Sequence, residues 1–204
     1  QQFHKGIIVS CQALEDEPLH GSDIMAKMAI AAQMSGAVGI RSNSPQDIKA
    51  IKKAVQLPVI GLYKVNYDDS PAYITPTMKE VSEVLNAGAD IVAIDCTKCL
   101  KPGKVTTKDF IKEIKNKYNT IILADISTYK EAMEAQDAGA DMISTTLSGY
   151  TPYSPQIEEP DFELVEALAK NAAIPIFAEG KIWCPEEAVK ALKLGIAAFF
   201  ASAS

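Results

Sequence analysis

A (β/α)8 TIM barrel is the α/β fold this sequence predicts, on three observations. Eight short apolar runs recur along the 204 residues, and stretches with helical spacing separate them. Strands alternating with helices of that length imply right-handed crossovers and a parallel sheet, whose doubly buried strands read as unbroken Val, Ile, Leu and Ala. The third observation is a longer period. Ser35-Gly36, Ala87-Gly88, Ala138-Gly139 and Leu194-Gly195 close every second helix, and these glycines, free to take the left-handed conformation, are spaced by 52, 51 and 56 residues. Each unit therefore holds two strands and two helices, and four units give eight strands.

The first strand, expected over 6–10, runs into Cys11-Gln12, and helical spacing follows over 24–34. Ala-Val-Gly-Ile at 37–40 is the second strand, and a helix over 45–55 follows, opened by Pro45. Leu57-Pro58 leads into the third strand, 58–63, with a helix at 78–85 behind it. Strands at 90–94, 120–124 and 141–145 then alternate with helices at 108–118 and 130–138. Ile174-Pro175 opens the seventh strand, 174–178, between helices at 162–170 and 185–194, and the eighth run, 197–200, ends in Phe200. An open doubly wound sheet is the alternative, but no Gly-x-Gly-x-x-Gly follows the first strand. With no helix pattern after Phe200, the single domain, 1–204, is expected to be C-terminally incomplete and to lack its final helix.

Composition narrows the function classes. At 48% hydrophobic and 23% charged, the chain can bury one sizeable core, and it has neither a membrane-length apolar run nor a signal-peptide opening, so a cytoplasmic protein is expected. A net charge of -6 argues against a nucleic-acid surface, so an anionic ligand would need locally placed cations and backbone amides. Arg41 is the single arginine, placed directly after the second run, where a fixed bidentate donor suits phosphate or carboxylate; an ion pair at the strand end is the plainer reading. The four cysteines form no disulfide framework, and the Cys96-x-x-Cys99 pair has no partner pair for zinc and no helix start for redox chemistry. His4 and His20 lie in polar segments and read as solvated loop residues.

Seven of the eight runs finish on a polar or ionisable side chain: Gln12, Arg41, Lys64, Asp95, Asp125, Thr145 and Glu179. Such ends must lie outside the core, and in barrels of this kind binding and catalysis occur there. Lys64 and Glu179 end the third and seventh strands on opposite arcs, so an amine and a carboxylate would face one ligand, with Lys64 as base and Glu179 as partner acid or orienter. A Lys64–Glu179 salt bridge that only fixes the rim is the alternative. Asp125 suits sugar hydroxyls, whereas Asp95 suits these or the cap of the next turn. Thr145, Thr146, Ser148 and Gly149 supply hydroxyls and amides, and the loop over 150–155 can cover a ligand or pack its tyrosines on the barrel top. Glu179-Gly180-Lys181 sits where such barrels hold phosphate, Gly180 allowing close backbone approach.

Ile8-Val9-Ser10-Cys11-Gln12-Ala13-Leu14, Gly39-Ile40-Arg41, Pro58-Val59-Ile60-Gly61 with Lys64, Ala124-Asp125-Ile126-Ser127-Thr128, Thr145-Thr146-Leu147-Ser148-Gly149-Tyr150-Thr151 and Ala178-Glu179-Gly180-Lys181-Ile182 together resemble the bacterial N-acetylmannosamine-6-phosphate 2-epimerases. The resemblance implies a barrel, usually a homodimer, that interconverts N-acetylmannosamine 6-phosphate and N-acetylglucosamine 6-phosphate in sialic acid breakdown, with no metal and no other cofactor. It implies Lys64 as the base at the sugar C2, Glu179 as the second catalytic carboxylate, and Gln12, Arg41 and Asp125 as substrate-orienting residues. Thr145, Ser148, Gly180 and Lys181 complete the expected substrate-binding set, and neither nucleic acid nor membrane is an expected partner. The chain departs from the family at 201–204, where Ala-Ser-Ala-Ser replaces the Gly-Gly or Gly-Ser turn and Ile-Thr-Arg segment that holds phosphate. Two other functions fit the residues: a Schiff-base phosphosugar aldolase using Lys64 as nucleophile, and a phospholigand-binding barrel without turnover.

Overall fold

A computed structural model describes residues 6–202, which leaves His4 and the last two residues of the 201–204 segment outside the described residues. The chain alternates β1 (Gly6–Cys11), α1 (Ser22–Met34), β2 (Gly39–Asn43), α2 (Pro45–Ala54), β3 (Val59–Leu62), α3 (Met78–Asn86), β4 (Ile91–Asp95) and α4 (Thr107–Lys117). It continues with β5 (Ile121–Asp125), α5 (Tyr129–Ala138), β6 (Met142–Ser144), α6 (Phe162–Asn171), β7 (Ile176–Ala178), α7 (Pro185–Lys193) and β8 (Ala198–Ser202). All neighbouring strands are parallel, and β8 pairs with both β7 and β1, so the sheet closes in sequence order as an eight-stranded barrel. Among the described residues, no helix follows β8 and none is long and apolar enough to cross a membrane.

Gly36, Gly88, Gly139 and Gly195 all sit at positive φ behind their helices, as the repeat requires. The chief boundary difference is in β2, which begins two residues late and runs through Arg41 to Asn43. Ser44 explains the extension: its side chain accepts a hydrogen bond from Asp47 N, so helix α2 starts immediately and the strand continues up to it. Threonine and glutamate form capping boxes at Thr77/Glu80 and Thr128/Glu131, fixing where α3 and α5 leave the mouth of the barrel.

Two cores follow from the period-two alternation of the strands. Ile8, Ile60, Leu62, Ile91, Ala93, Leu123, Met142, Phe177 and Ala198 fill the barrel interior. Their alternates Val59, Val92, Ile94, Ile122, Ala124, Ile143, Ile176 and Ala178 face the helices and pack with residues such as Ile48, Val84, Phe110 and Leu168. Parity thus assigns each strand's last residues: Gln12, Arg41, Lys64, Asp125, Thr146 and Glu179 lie an even number of positions beyond inward residues or in register with them, whereas Thr145 shares the outward parity of Ile143.

Gly61 belongs to the outward set, and a Cβ there would meet Ala89 Cβ at 2.7 Å, Ile48 Cδ1 at 2.8 Å and Val84 Cγ1 at 2.8 Å. Gly61→Ala is therefore expected to destabilise the protein by about 1–3 kcal/mol through overpacking between β3 and the helices. Urea denaturation midpoints compared with those of the parent protein check this.

Candidate active site

The barrel mouth is organised around a buried cation. Arg41, 1% exposed on β2, reaches across to the fully buried Asp125 at the end of β5: Nη2 donates to Oδ2 at 2.7 Å and Nη1 to Oδ1 at 3.2 Å. Its Nε lies 3.5 Å from Glu179 Oε2, just after β7. One fork therefore addresses two carboxylates, a geometry lysine cannot reproduce. The nearby anions raise the Arg41 pKa against the lowering effect of burial. Burial pushes the Asp125 carboxyl up from its ordinary range, against the pull of Arg41, and Glu179 adds to that push.

Threonine hydroxyls hold Glu179 on two sides. Thr145 Oγ1 donates to the Glu179 carbonyl at 2.9 Å and accepts from its N–H at 3.1 Å, which fixes the backbone. Thr146 Oγ1 lies 2.8 Å from Glu179 Oε2 and 2.7 Å from Asp125 Oδ1, linking the carboxylates themselves.

Lys64 stands beyond β3, where its N–H donates to Asn43 Oδ1 at 2.9 Å and its backbone bridges antiparallel to Ile74. Burial lowers its pKa from the usual lysine range, Arg41 lowers it further, and the carboxylates of Glu179, Asp125 and Glu17 oppose the fall. No Lys64–Glu179 salt bridge occurs among the described residues; Glu179 turns toward Arg41 instead. Gln12 Nε2 donates to Ser10 Oγ at 2.8 Å, while Gln12 Oε1 is buried without a hydrogen-bond partner among the described residues and can take a donor from a ligand.

These groups border a cavity of ≈ 310 Å³ at the strand ends. Gln12, Arg41, Lys64, Glu179, Gly180 and Lys181 line it, so the structure brings six of the nine expected site residues together. Asp125, Thr145 and Ser148 are not in its lining. Asp125 is spent on Arg41 and Thr146, Thr145 on the Glu179 backbone, and Ser148 donates to Asp161 Oδ2 at 2.7 Å. The expectation that charged strand ends lie outside the core is corrected as well. Arg41, Asp95 and Asp125 are at most 2% exposed, because the barrel closes over them and each has a partner. Asp95 accepts from Thr97 N and Oγ1, capping its turn, and pairs with buried Lys101 at 3.6 Å.

Tyr73, Ile74, Thr146, Tyr150, Ile182 and Trp183 complete the wall. Strand parity identifies Thr146, two positions beyond inward-facing Ser144. Tyr73 and Ile74 carry no local signal, since their loop is folded back over the mouth by the bridge from Lys64 to Ile74 and by the Asp95 N–H, which donates to the Ile74 carbonyl. Tyr150 and Trp183 are 62% and 78% exposed at the rim, whereas Tyr153 Oη donates to Glu131 Oε1 and ties its loop to α5. Gly180 has φ 101° and Lys181 φ 59°, and the Lys181 ammonium donates to the Ile157 carbonyl, joining the loops after β6 and β7.

Elsewhere, burial pushes the Cys11 thiol up to about 11 and that of Cys96 higher still, so neither is a ready thiolate. Among the described residues no group of three or more His, Cys, Asp or Glu side chains is arranged to hold a metal ion. The expected solvated His20 is exposed, its Nδ1 3.3 Å from the Ala13 carbonyl.

Residues 25–203 match the family described as "Putative N-acetylmannosamine-6-phosphate epimerase". A protein of Caldanaerobacter subterraneus subsp. tengcongensis named "Putative N-acetylmannosamine-6-phosphate 2-epimerase" is 62% identical over 196 residues, covering 96% of this chain and 83% of its own. One of the same name from Clostridioides difficile (strain 630) is 52% identical over 190 residues, with 93% and 85% covered. The solved N-acetylmannosamine-6-phosphate 2-epimerase from Clostridium perfringens superposes with a TM-score of 0.93 at 50% identity, over 96% of this chain and 85% of that one.

Removing Asp125 would leave the Arg41 guanidinium buried without its bidentate partner. Asp125→Ala is expected to cost about 3–5 kcal/mol of stability, read as a fall in the denaturation midpoint at neutral pH.

Proposed function

This chain belongs to the N-acetylmannosamine-6-phosphate epimerase family, and from that premise we propose that it is an N-acylglucosamine-6-phosphate 2-epimerase, interconverting N-acetylmannosamine 6-phosphate and N-acetylglucosamine 6-phosphate in sialic acid breakdown. The observation that carries the proposal is that a lysine of lowered pKa and a carboxylate line the same cavity. Inverting C2 requires removal of its proton and return of one to the opposite face. With C1 as a carbonyl, the electron pair left at C2 moves onto the C1 oxygen, so the proton is within reach of an amine base. Lys64 in its deprotonated form, which its lowered pKa favours, takes that proton and becomes an ammonium; Arg41 is the fixed cation for the developing negative charge. Glu179, held by Thr145, Thr146 and Arg41, faces the carbon from the β7 side.

Gln12 Oε1 accepts a hydroxyl or amide hydrogen of the sugar, and Asp125 orients substrate indirectly, by fixing Arg41. Gly180 and Lys181 lie where the phosphate of such substrates binds at the loop after the seventh strand. Their cation and left-handed backbone suit an anion. The active form is a homodimer on this reading. The shared name of the relatives favours an epimerase over a Schiff-base aldolase or a barrel without turnover.

Incubation of either epimer in deuterated water is expected to place deuterium at C2, followed by proton NMR, and Lys64→Ala is expected to abolish both exchange and turnover. Epimerisation that retains full C2 protium in deuterated water contradicts acid–base chemistry that exchanges with solvent. The pH dependence is signed: the reactive amine is the deprotonated form, so kcat/KM is expected to rise with pH through the Lys64 pKa. Because burial lowers that pKa, the rise is centred below the ordinary value of about 10.4.

A further inference from the structure

Three oxygens converge on the Thr146 hydroxyl: Asp125 Oδ1 at 2.7 Å, Glu179 Oε2 at 2.8 Å and Ser144 Oγ at 2.8 Å. An oxygen–oxygen contact of that length requires a hydrogen between its members. A hydroxyl brings one hydrogen and two lone pairs, so Thr146 supplies one of the three hydrogens and Ser144 a second. The third has no hydroxyl source, which leaves a carboxyl group. We propose that Thr146 links Asp125 and Glu179 so that the two carboxyls together hold one proton in the resting protein, and that its hydroxyl relays this proton to Glu179.

Charge balance leads to the same count. Arg41 is the cation in contact with both carboxylates, and the site around it is closed to solvent on the Asp125 side. Two ionised carboxylates against one guanidinium would leave an uncompensated buried negative charge, which a shared proton removes. The other titratable groups facing the pair are Lys64, Tyr73, Asp95 and Tyr150. Lys64 approaches from β3 with its pKa lowered by burial and by Arg41, against the opposing pull of Glu179 and Asp125. Tyr73, on the loop after β3, is held toward its neutral phenol by burial and by Asp125 and Asp95. Asp95 on β4 is already paired with Lys101, and Tyr150 on the loop after β6 is exposed at the rim. The upward push on Asp125 agrees with a proton held in common.

The relay conserves atoms and charge. The Thr146 O–H bond breaks as its hydrogen bonds to Glu179, while Asp125 gives its hydrogen to the Thr146 oxygen; the hydroxyl is regenerated and the proton has moved from one carboxyl to the other. This step rests on the epimerase reading in one respect. When Lys64 gains the C2 proton and Glu179 delivers its own to the opposite face, the pair loses one positive charge as Lys64 gains one, and the site keeps its total.

Infrared spectra of the free protein at neutral pH test the shared proton without any substrate. A protonated-carboxyl band is expected in the parent protein, lost in Asp125→Asn and in Glu179→Gln, shifted in frequency in Thr146→Val, where the carboxyl loses its bridging hydroxyl, and returned to its place in Thr146→Ser. In turnover assays Thr146→Val is expected to lower kcat by about a hundredfold with KM little changed. The descending limb of the pH profile, set by loss of the shared proton, is expected to move to higher pH, because the Thr146 hydrogen bond lowers the Asp125 pKa, and to return in Thr146→Ser. A parent protein without the band, or a Thr146→Val protein whose band is unmoved, overturns the proposal; the parent spectrum decides even where the valine variant does not fold. Absence of isotope exchange at C2 would sink the epimerase reading alone, since the band is read from the free protein.

Discussion

The Arg41–Asp125 pair is the constraint on which the rest of the mouth depends. Arg41 is the single arginine, it is buried, and its fork is occupied by a carboxylate from the other side of the barrel. Such a pair gains little net stability over well-packed apolar residues, yet breaking it is costly. Its consequence here is positional. With the guanidinium fixed, Glu179 has a charged partner, Lys64 has a nearby positive charge that helps to lower its pKa, and Thr146 has two carboxyl groups to join.

An eight-stranded barrel alone says little about chemistry, since many activities share it. The chemistry comes from which residues cross from the strand ends into the cavity. In this chain the interior below them is packed by Ile60, Leu62, Leu123, Met142 and Phe177, so the strand ends are held on a filled core. Loops then complete the wall: the chain after β3 turns back to place Tyr73 and Ile74, and Lys181 links two loops through the Ile157 carbonyl. Rigid groups thus come from strands and adaptable ones, such as exposed Tyr150 and Trp183, from the rim.

Much of this was legible in the sequence for one reason: doubly buried strands announce themselves as apolar runs, and a polar side chain ending such a run is expected to lie outside the core, at the mouth. Gln12, Arg41, Lys64 and Glu179, singled out in that way, line one cavity. The same rule misjudged exposure, because it does not anticipate partners from distant strands; Asp125 ends its run as expected but is sealed behind Arg41. Thr145 and Thr146 show what finer reading supplies. Both follow the sixth run, and only the count of two from Ser144 separates the inward residue from the outward one. Tyr73 and Trp183 were not legible, as loop paths depend on contacts made long after the local sequence has passed.

Because the chain has a single arginine, its guanidinium can be followed by nitrogen-resolved NMR without assignment by mutagenesis. The account predicts that the Arg41 Nη protons give separate, slowly exchanging signals in the free protein at neutral pH, as a bidentate, buried pair requires, and that Asp125→Asn shifts and broadens them. A single averaged signal that exchanges rapidly with water would contradict it, since a mobile guanidinium could neither fix Glu179 nor organise the mouth.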